Sequence, residues 1–191
     1  GMLASTCSKM GGEVFTLMKQ EFGEVEEPVP PGTVGSSTMP QKRNPKLAQD
    51  IVAVAAQIRA LVPLALEAMI TEHEANRTTS VMMNRALDQS AVLTGDLLQY
   101  VIELFSGIQV FPERMRANLD LSGGLIMSEA IMLELGRKLG RQRAHDAVYD
   151  AAQASVVESR PFKDTLAEVS DVASNMTPQE IEVLLDPTEY T

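Results

Sequence analysis

Residues 46–69 read KLAQDIVAVAAQIRALVPLALEAM, and within them Leu47, Ile51, Val54, Ile58, Leu61, Ala65 and Met69 fall at steps of three and four. That period predicts a helix of about six turns with one continuous apolar stripe. Pro63 interrupts the pattern and is expected to kink it. Asn44-Pro45 stands at the start, where Asn is a good N-cap and Pro fits the first turn because its missing N–H costs nothing there. Beyond a polar stretch at 71–80, Leu93, Leu97, Val101, Leu104 and Ile108 mark one face of a second long helix. Two such helices cannot enclose both stripes, so more helices are required, from further sequence or from neighbouring subunits.

Composition agrees with an all-α fold. Of 191 residues, 45% are apolar but only 4% aromatic, with 11 Met and no Trp, which suits packed helices better than sheets of β-branched and aromatic strands. At the N-terminal end Leu3, Cys7, Met10, Val14, Leu17 and Met18 are helically spaced, with an expected interruption at Gly11-Gly12. Residues 21–45, EFGEVEEPVPPGTVGSSTMPQKRNP, hold five prolines and three glycines, so this segment reads as a long loop without regular structure. The helical pattern breaks at 109–112, and a domain boundary is placed near residue 111. Residues 1–110 are then part of a long-helix bundle carrying the loop at 21–45, and 111–191 a small α-helical C-terminal domain. Helices are expected there at 125–139, ended by Gly140, and at 142–159, with brief ones at 161–169 and 178–185.

A net charge of -10 with scattered Lys and Arg repels phosphate backbones and argues against a nucleic-acid partner. One cysteine cannot form an internal disulfide, and no apolar run reaches the roughly 20 residues of a membrane span. A cytoplasmic protein with no membrane partner is expected. Gly1-Met2 reads as an appended tail and Leu3 onward as the middle of a helix, so natural sequence is expected ahead of it.

The segment Gly35-Ser36-Ser37-Thr38-Met39-Pro40-Gln41-Lys42-Arg43-Asn44-Pro45 carries the chemistry. A helix N-terminus gathers unpaired N–H groups and partial positive charge, which would stabilise an anion just ahead of residue 46. Lys42 adds a full charge, Asn44 offers a donor and an acceptor, and Gly35 with the serine pair lets the backbone close over a ligand. A carboxylate fits such a site. A serine hydroxyl is a poor base in water, but its alkoxide becomes accessible where a fixed cation and oriented dipoles stabilise it in a dry pocket, and this makes Ser36 a candidate base. Spacing alone leaves open a second reading, a flexible Gly/Ser/Pro linker ending in a simple cap.

The string is similar to the GSSxMPxKxNP signature of the fumarase/aspartase superfamily, with every specified position present. Further segments resemble the adenylosuccinate lyase and 3-carboxymuconate cycloisomerase branch: Gly23-Glu24-Val25, the run 110–115, Asn118 to Leu121 with Gly124-Leu125, and Leu184 to Pro187 with Tyr190. The resemblance implies that Ser36 removes the proton next to a substrate carboxylate, and that Ser37, Lys42 and Asn44 bind substrate, Lys42 and Asn44 stabilising the aci-carboxylate. It also implies a di- or tricarboxylate substrate, a homotetramer whose sites draw on three subunits, and no metal or organic cofactor. Family members are longer and carry their catalytic histidine in segments not present here, so this chain alone is expected to be inactive.

Two positions depart from the adenylosuccinate lyase pattern. Gln49 stands where a glutamate usually pairs with the catalytic histidine, and Ala75 follows His73-Glu74 where an arginine usually serves the substrate phosphate. The cycloisomerase resembles this chain in lacking that glutamate and in the segments 118–125 and 139–145. An adenylosuccinate lyase-like C–N lyase is the alternative, and a catalytically inactive helical oligomerisation module the alternative from another class. Of the remaining singletons, His73 is expected at a helix end in a solvated or capping role, and His145 at the surface. Glu21, Glu24, Glu26 and Glu27 are read as solvated charge on a proline-rich loop rather than a metal site. Cys7 is read as a small core residue, the Met82-Met83 patch as packing, and Arg77 and Arg85 as helical surface charge.

Overall fold

The computed structural model describes residues 1–29 and 43–190. The chain divides into two compact units, Gly1–Met115 and Arg116–Thr191. Helices dominate both. The first unit holds α1 (Met2–Leu17), α2 (Lys46–Glu67) and α3 (Arg77–Gly107), with α2 packed against both of its neighbours. Its core is the stripe the sequence marks: Ala48, Ile51, Ala55 and Ile58 from α2 meet Ala4, Cys7 and Val14 from α1 and Leu97 and Leu104 from α3. Cys7 is thus a small apolar core residue, as its type suggests. α2 has the length and composition of a bilayer-spanning helix, contrary to the count of apolar runs, but its apolar stripe is committed to α1 and α3 and Asp50 and Arg59 lie within it.

Two expectations fail in this unit, each for a physical reason. The helix at the N-terminus does not break at Gly11-Gly12. α1 is continuous, and Gly11 is buried where α2 approaches so closely that a Cβ would lie 2.9 Å from Ile51 Cγ2 and 3.0 Å from the Ala48 carbonyl oxygen. α2 runs from Lys46 to Glu67 with Pro63 inside it. The segment 21–45 is not devoid of regular structure: β1 (Val25–Glu26) pairs antiparallel with β2 (Gln109–Val110), with Val25 opposite Val110 and Glu26 opposite Gln109. Arg114 reinforces this junction by donating from Nε and Nη2 to the backbone carbonyls of Phe22 and Glu21, at 2.8 and 3.0 Å. α4 (Pro112–Leu119), unmarked in the sequence pattern because none of its residues is buried, follows β2.

In the second unit a 3₁₀ turn at Leu125–Met127 precedes α5 (Ser128–Leu139), so the helix expected from 125 begins three residues late. α5 ends at Gly140, whose φ of 84° favours glycine. α6 (Arg141–Glu158), α7 (Phe162–Glu168), α8 (Ser170–Ala173) and α9 (Pro178–Leu184) complete the fold. Ile131, Leu135, Ala144, Val148, Phe162, Leu166, Val172 and Ile181 form its core. Exposed ion pairs join its helices. Arg143 grips Asp171 with two bonds of 2.7 Å, and Arg160 pairs with Glu158 and Glu168.

Candidate active site

Of the four residues assigned to the site, Ser36, Ser37 and Lys42 lie outside the described residues, and Asn44 lies within them. Asn44 is half-buried immediately ahead of α2. It does not cap the helix. The cap position is Pro45, with φ -76° and ψ 70°, and no side chain caps the helix from that position. These dihedrals are those of an inverse γ-turn, and the bond that closes it runs from the Lys46 N–H to the Asn44 carbonyl at 2.9 Å. The Asn44 amide is therefore not spent on satisfying the helix.

The expectation that an external anion would meet the start of α2 is corrected by Glu27. The Leu47 N–H donates to Glu27 Oε1 and the Ala48 N–H to Oε2, each at 3.2 Å. Glu27 is only 6% exposed, so the carboxylate read as solvated charge is the built-in anion of this helix end. Burying a charge is costly unless it is bonded, and helix N-terminal amides, unpaired within the helix and at the positive end of its dipole, are a suitable partner. Nothing local announces such a pairing, because the two partners are separated by the loop. Glu26, the preceding residue, reaches Arg43 with Oε1 3.1 Å from Nε. Glu26 and Glu27 are thus the residues at this site that sequence reasoning missed.

A cavity of about 250 Å³ opens beside these contacts, and Asn44 is part of its wall. Its charged lining consists of four carboxylates, Glu26, Glu27, Asp50 and Glu103, against the cations Arg43 and Lys46. With Arg43 held by Glu26, Lys46 and the Asn44 amide remain on a wall where carboxylates outnumber cations.

The other candidates stay apart from this chemistry. His73 is exposed between α2 and α3 with φ 59°, not at a helix end. Asn76 is the residue that caps α3, its Oδ1 accepting from the Thr79 N–H at 3.0 Å. His145 is exposed and stacks on Tyr149, ring centroids 6.2 Å apart. Among the described residues no group of three or more His, Cys, Asp or Glu could hold a metal ion.

Comparison with known proteins supplies the class. Residues 1–60 match the family described as Lyase, and residues 124–191 match the family described as Adenylosuccinate lyase C-terminus. An N-acetyl-S-(2-succino)cysteine lyase from Enterococcus italicus is 38% identical over 100% of this chain and 42% of its own length. Trans-aconitate decarboxylase 1 from Mycosarcoma maydis is 40% identical over 100% of the chain and 38% of its own. The crystal structure of 3-carboxy-cis,cis-muconate lactonizing enzyme from Pseudomonas putida superimposes with a TM-score of 0.81 at 34% identity, covering 98% of this chain and 41% of that one. The chain is thus similar, along its whole length, to lyases and cycloisomerases of the fumarase/aspartase superfamily, and shares the helical fold of their solved structures. It spans about two fifths of the length of the relatives it matches, 42% of the first.

Proposed function

We propose that the full-length protein is a lyase or cycloisomerase that reversibly eliminates or adds a group next to a carboxylate of a di- or tricarboxylate. Ser36 is the base, and Ser37, Lys42 and Asn44 hold the substrate. The observation that carries this reading is the complete signature string at 35–45 in a chain similar along its whole length to enzymes named for polycarboxylates. Asn44 supports it, being half-buried with its amide unspent on the helix. Cycloisomerisation of a 3-carboxymuconate-like acid is the preferred form, because Gln49 and Ala75 replace residues an adenylosuccinate lyase would use. A second form, elimination from a succinylated heteroatom, is favoured by the succinocysteine lyase relative and by the match at 124–191.

A homotetramer in the cytoplasm completes the proposal. α3 supports the association. Besides the buried Ala86, Leu97 and Leu104, this helix exposes Val81, Leu87, Val92, Leu98, Ile102 and Phe105, and at 100° per residue these fall away from the buried face. A helix apolar on both sides belongs to the interior of a larger bundle.

The test is a substrate panel on the full-length protein, covering carboxymuconate, adenylosuccinate, argininosuccinate, aspartate and N-acetyl-S-(2-succino)cysteine, followed by ultraviolet absorbance of the unsaturated species. Turnover of one polycarboxylate is expected, falling by about 10²–10³-fold or more in Ser36→Ala with the fold retained. Parental turnover in Ser36→Ala removes it from the role, and no turnover on any member of the panel overturns the substrate class.

A further inference from the structure

We propose that Glu27 is a positioning residue of this active site, acting through Asn44; the proposal rests on the reading of Asn44 as substrate-binding. Glu26 and Glu27 are successive residues at the end of an extended strand, so their side chains leave on opposite sides. Glu26 takes Arg43, the residue before Asn44. Glu27 takes the Leu47 and Ala48 amides, just beyond it. Asn44 therefore lies between two attachment points supplied by one dipeptide, and that dipeptide is itself fixed by the pairing of β1 with β2.

The alternative sources of order at this point are weak. Pro45 occupies the cap position and contributes no side-chain cap, and as a proline it has no N–H to donate. Without Glu27 the Leu47 and Ala48 amides lose the acceptors that now fix the first turn of α2. Ala48 is fully buried, so water is a poor substitute there. Released, the start of α2 and the γ-turn at Pro45 are free to shift, and Asn44 shifts with them. Because Asn44 is read as stabilising the aci-carboxylate that forms during reaction, its misplacement weakens the transition state more than the bound substrate.

The experiment compares Glu27→Gln, Glu27→Ala and Ser36→Ala in the full-length protein, with amide hydrogen exchange at Leu47 and Ala48 and steady-state kinetics as readouts. Glu27→Gln keeps the side chain's shape and tests the charge, whereas Ala also removes buried side-chain atoms. Exchange at the two amides is expected to rise about fivefold to tenfold, the loss typical of a helix cap. The kcat is expected to fall by up to about 10²-fold in Glu27→Ala and less in Glu27→Gln, with KM changed less than kcat. Unchanged exchange in both Glu27 variants overturns the clamp. Parental kcat in both, while Ser36→Ala is inactive, overturns the positioning role. If Ser36→Ala turns over normally, the catalytic reading of the loop fails instead, and the exchange rates still decide whether Glu27 holds the helix.

Discussion

Two neighbouring glycines in α1 should respond to the same substitution with opposite sign. Replacing a glycine in a helix interior by alanine normally stabilises by about 0.5–1 kcal/mol, since alanine loses less backbone freedom on folding. At Gly12 a Cβ meets nothing within 4 Å, so Gly12→Ala should show that gain in full. At Gly11 the same Cβ would stand 2.9 Å from Ile51 Cγ2, 3.2 Å from Ile51 Cβ and 3.0 Å from the Ala48 carbonyl oxygen. Neither neighbour can yield cheaply: Ile51 is 0% exposed in the core, and the carbonyl belongs to the backbone of α2. Overpacking of this kind costs about 1–3 kcal/mol, which exceeds the propensity gain. Gly11→Ala should therefore destabilise by roughly 1 kcal/mol, leaving the two variants about 2 kcal/mol apart. Urea unfolding followed by circular dichroism reads this as midpoint shifts in opposite directions at constant m-value. A Gly11→Ala protein at least as stable as the parent would show that α1 and α2 are not in the close contact on which the architecture of the first unit rests.

The ion pairs of the second unit make it sensitive to acid. Hydrogen bonds and charge from Arg160 and Arg143 hold the Glu168 and Asp171 carboxyls below their ordinary values of 4.5 and 3.8. Lowered folded values mean stability that is present above the unfolded values and lost as pH falls through them. The melting temperature of this unit should accordingly decline below about pH 4, and Asp171→Asn should flatten the decline; a pH-independent midpoint in the parent would refute it. Thr177 and Glu180 form a reciprocal capping box at the start of α9, and Thr177→Ala should cost about 1 kcal/mol in a denaturant titration, whereas no change would mean the box is not formed in solution.

How much was legible in the sequence follows from which contacts are periodic. α2, α3, α5 and α6 announce themselves because each buries one side, and 3.6-residue spacing of Leu, Ile, Val and Ala records that burial directly. Gly140 announces an end because its backbone conformation favours glycine. α4 is silent for the converse reason, having no buried residue and hence no stripe. The two-residue strands β1 and β2 are too short to show alternation, and their partner is distant in sequence. Gly11-Gly12 was misread because a glycine that breaks a helix and one that admits a neighbouring helix look identical in one dimension. At the site, the roles proposed for Ser36, Ser37, Lys42 and Asn44 come from the signature, whereas nothing in the sequence pointed to Glu27. Its role comes from where the strand places it against α2, which no local pattern encodes.

That placement alters the electrostatic argument for catalysis. A serine alkoxide and a substrate carboxylate both need positive charge nearby, and the start of α2 looked like one source of it. Glu27 already satisfies two of its amides and answers its dipole, while Glu26 answers Arg43. The start of α2 is thus answered from within the chain, whose net charge is -10. Among the described residues of the signature this leaves the Asn44 amide, unspent on the helix, as a group able to act on an anion. A substrate with two or three carboxylates needs more than one cation to enter a dry pocket; Lys46 stands on the same cavity wall as Asn44, and further cations would come from parts of the full-length protein, or of neighbouring subunits, that the second apolar face of α3 would bring into the same bundle.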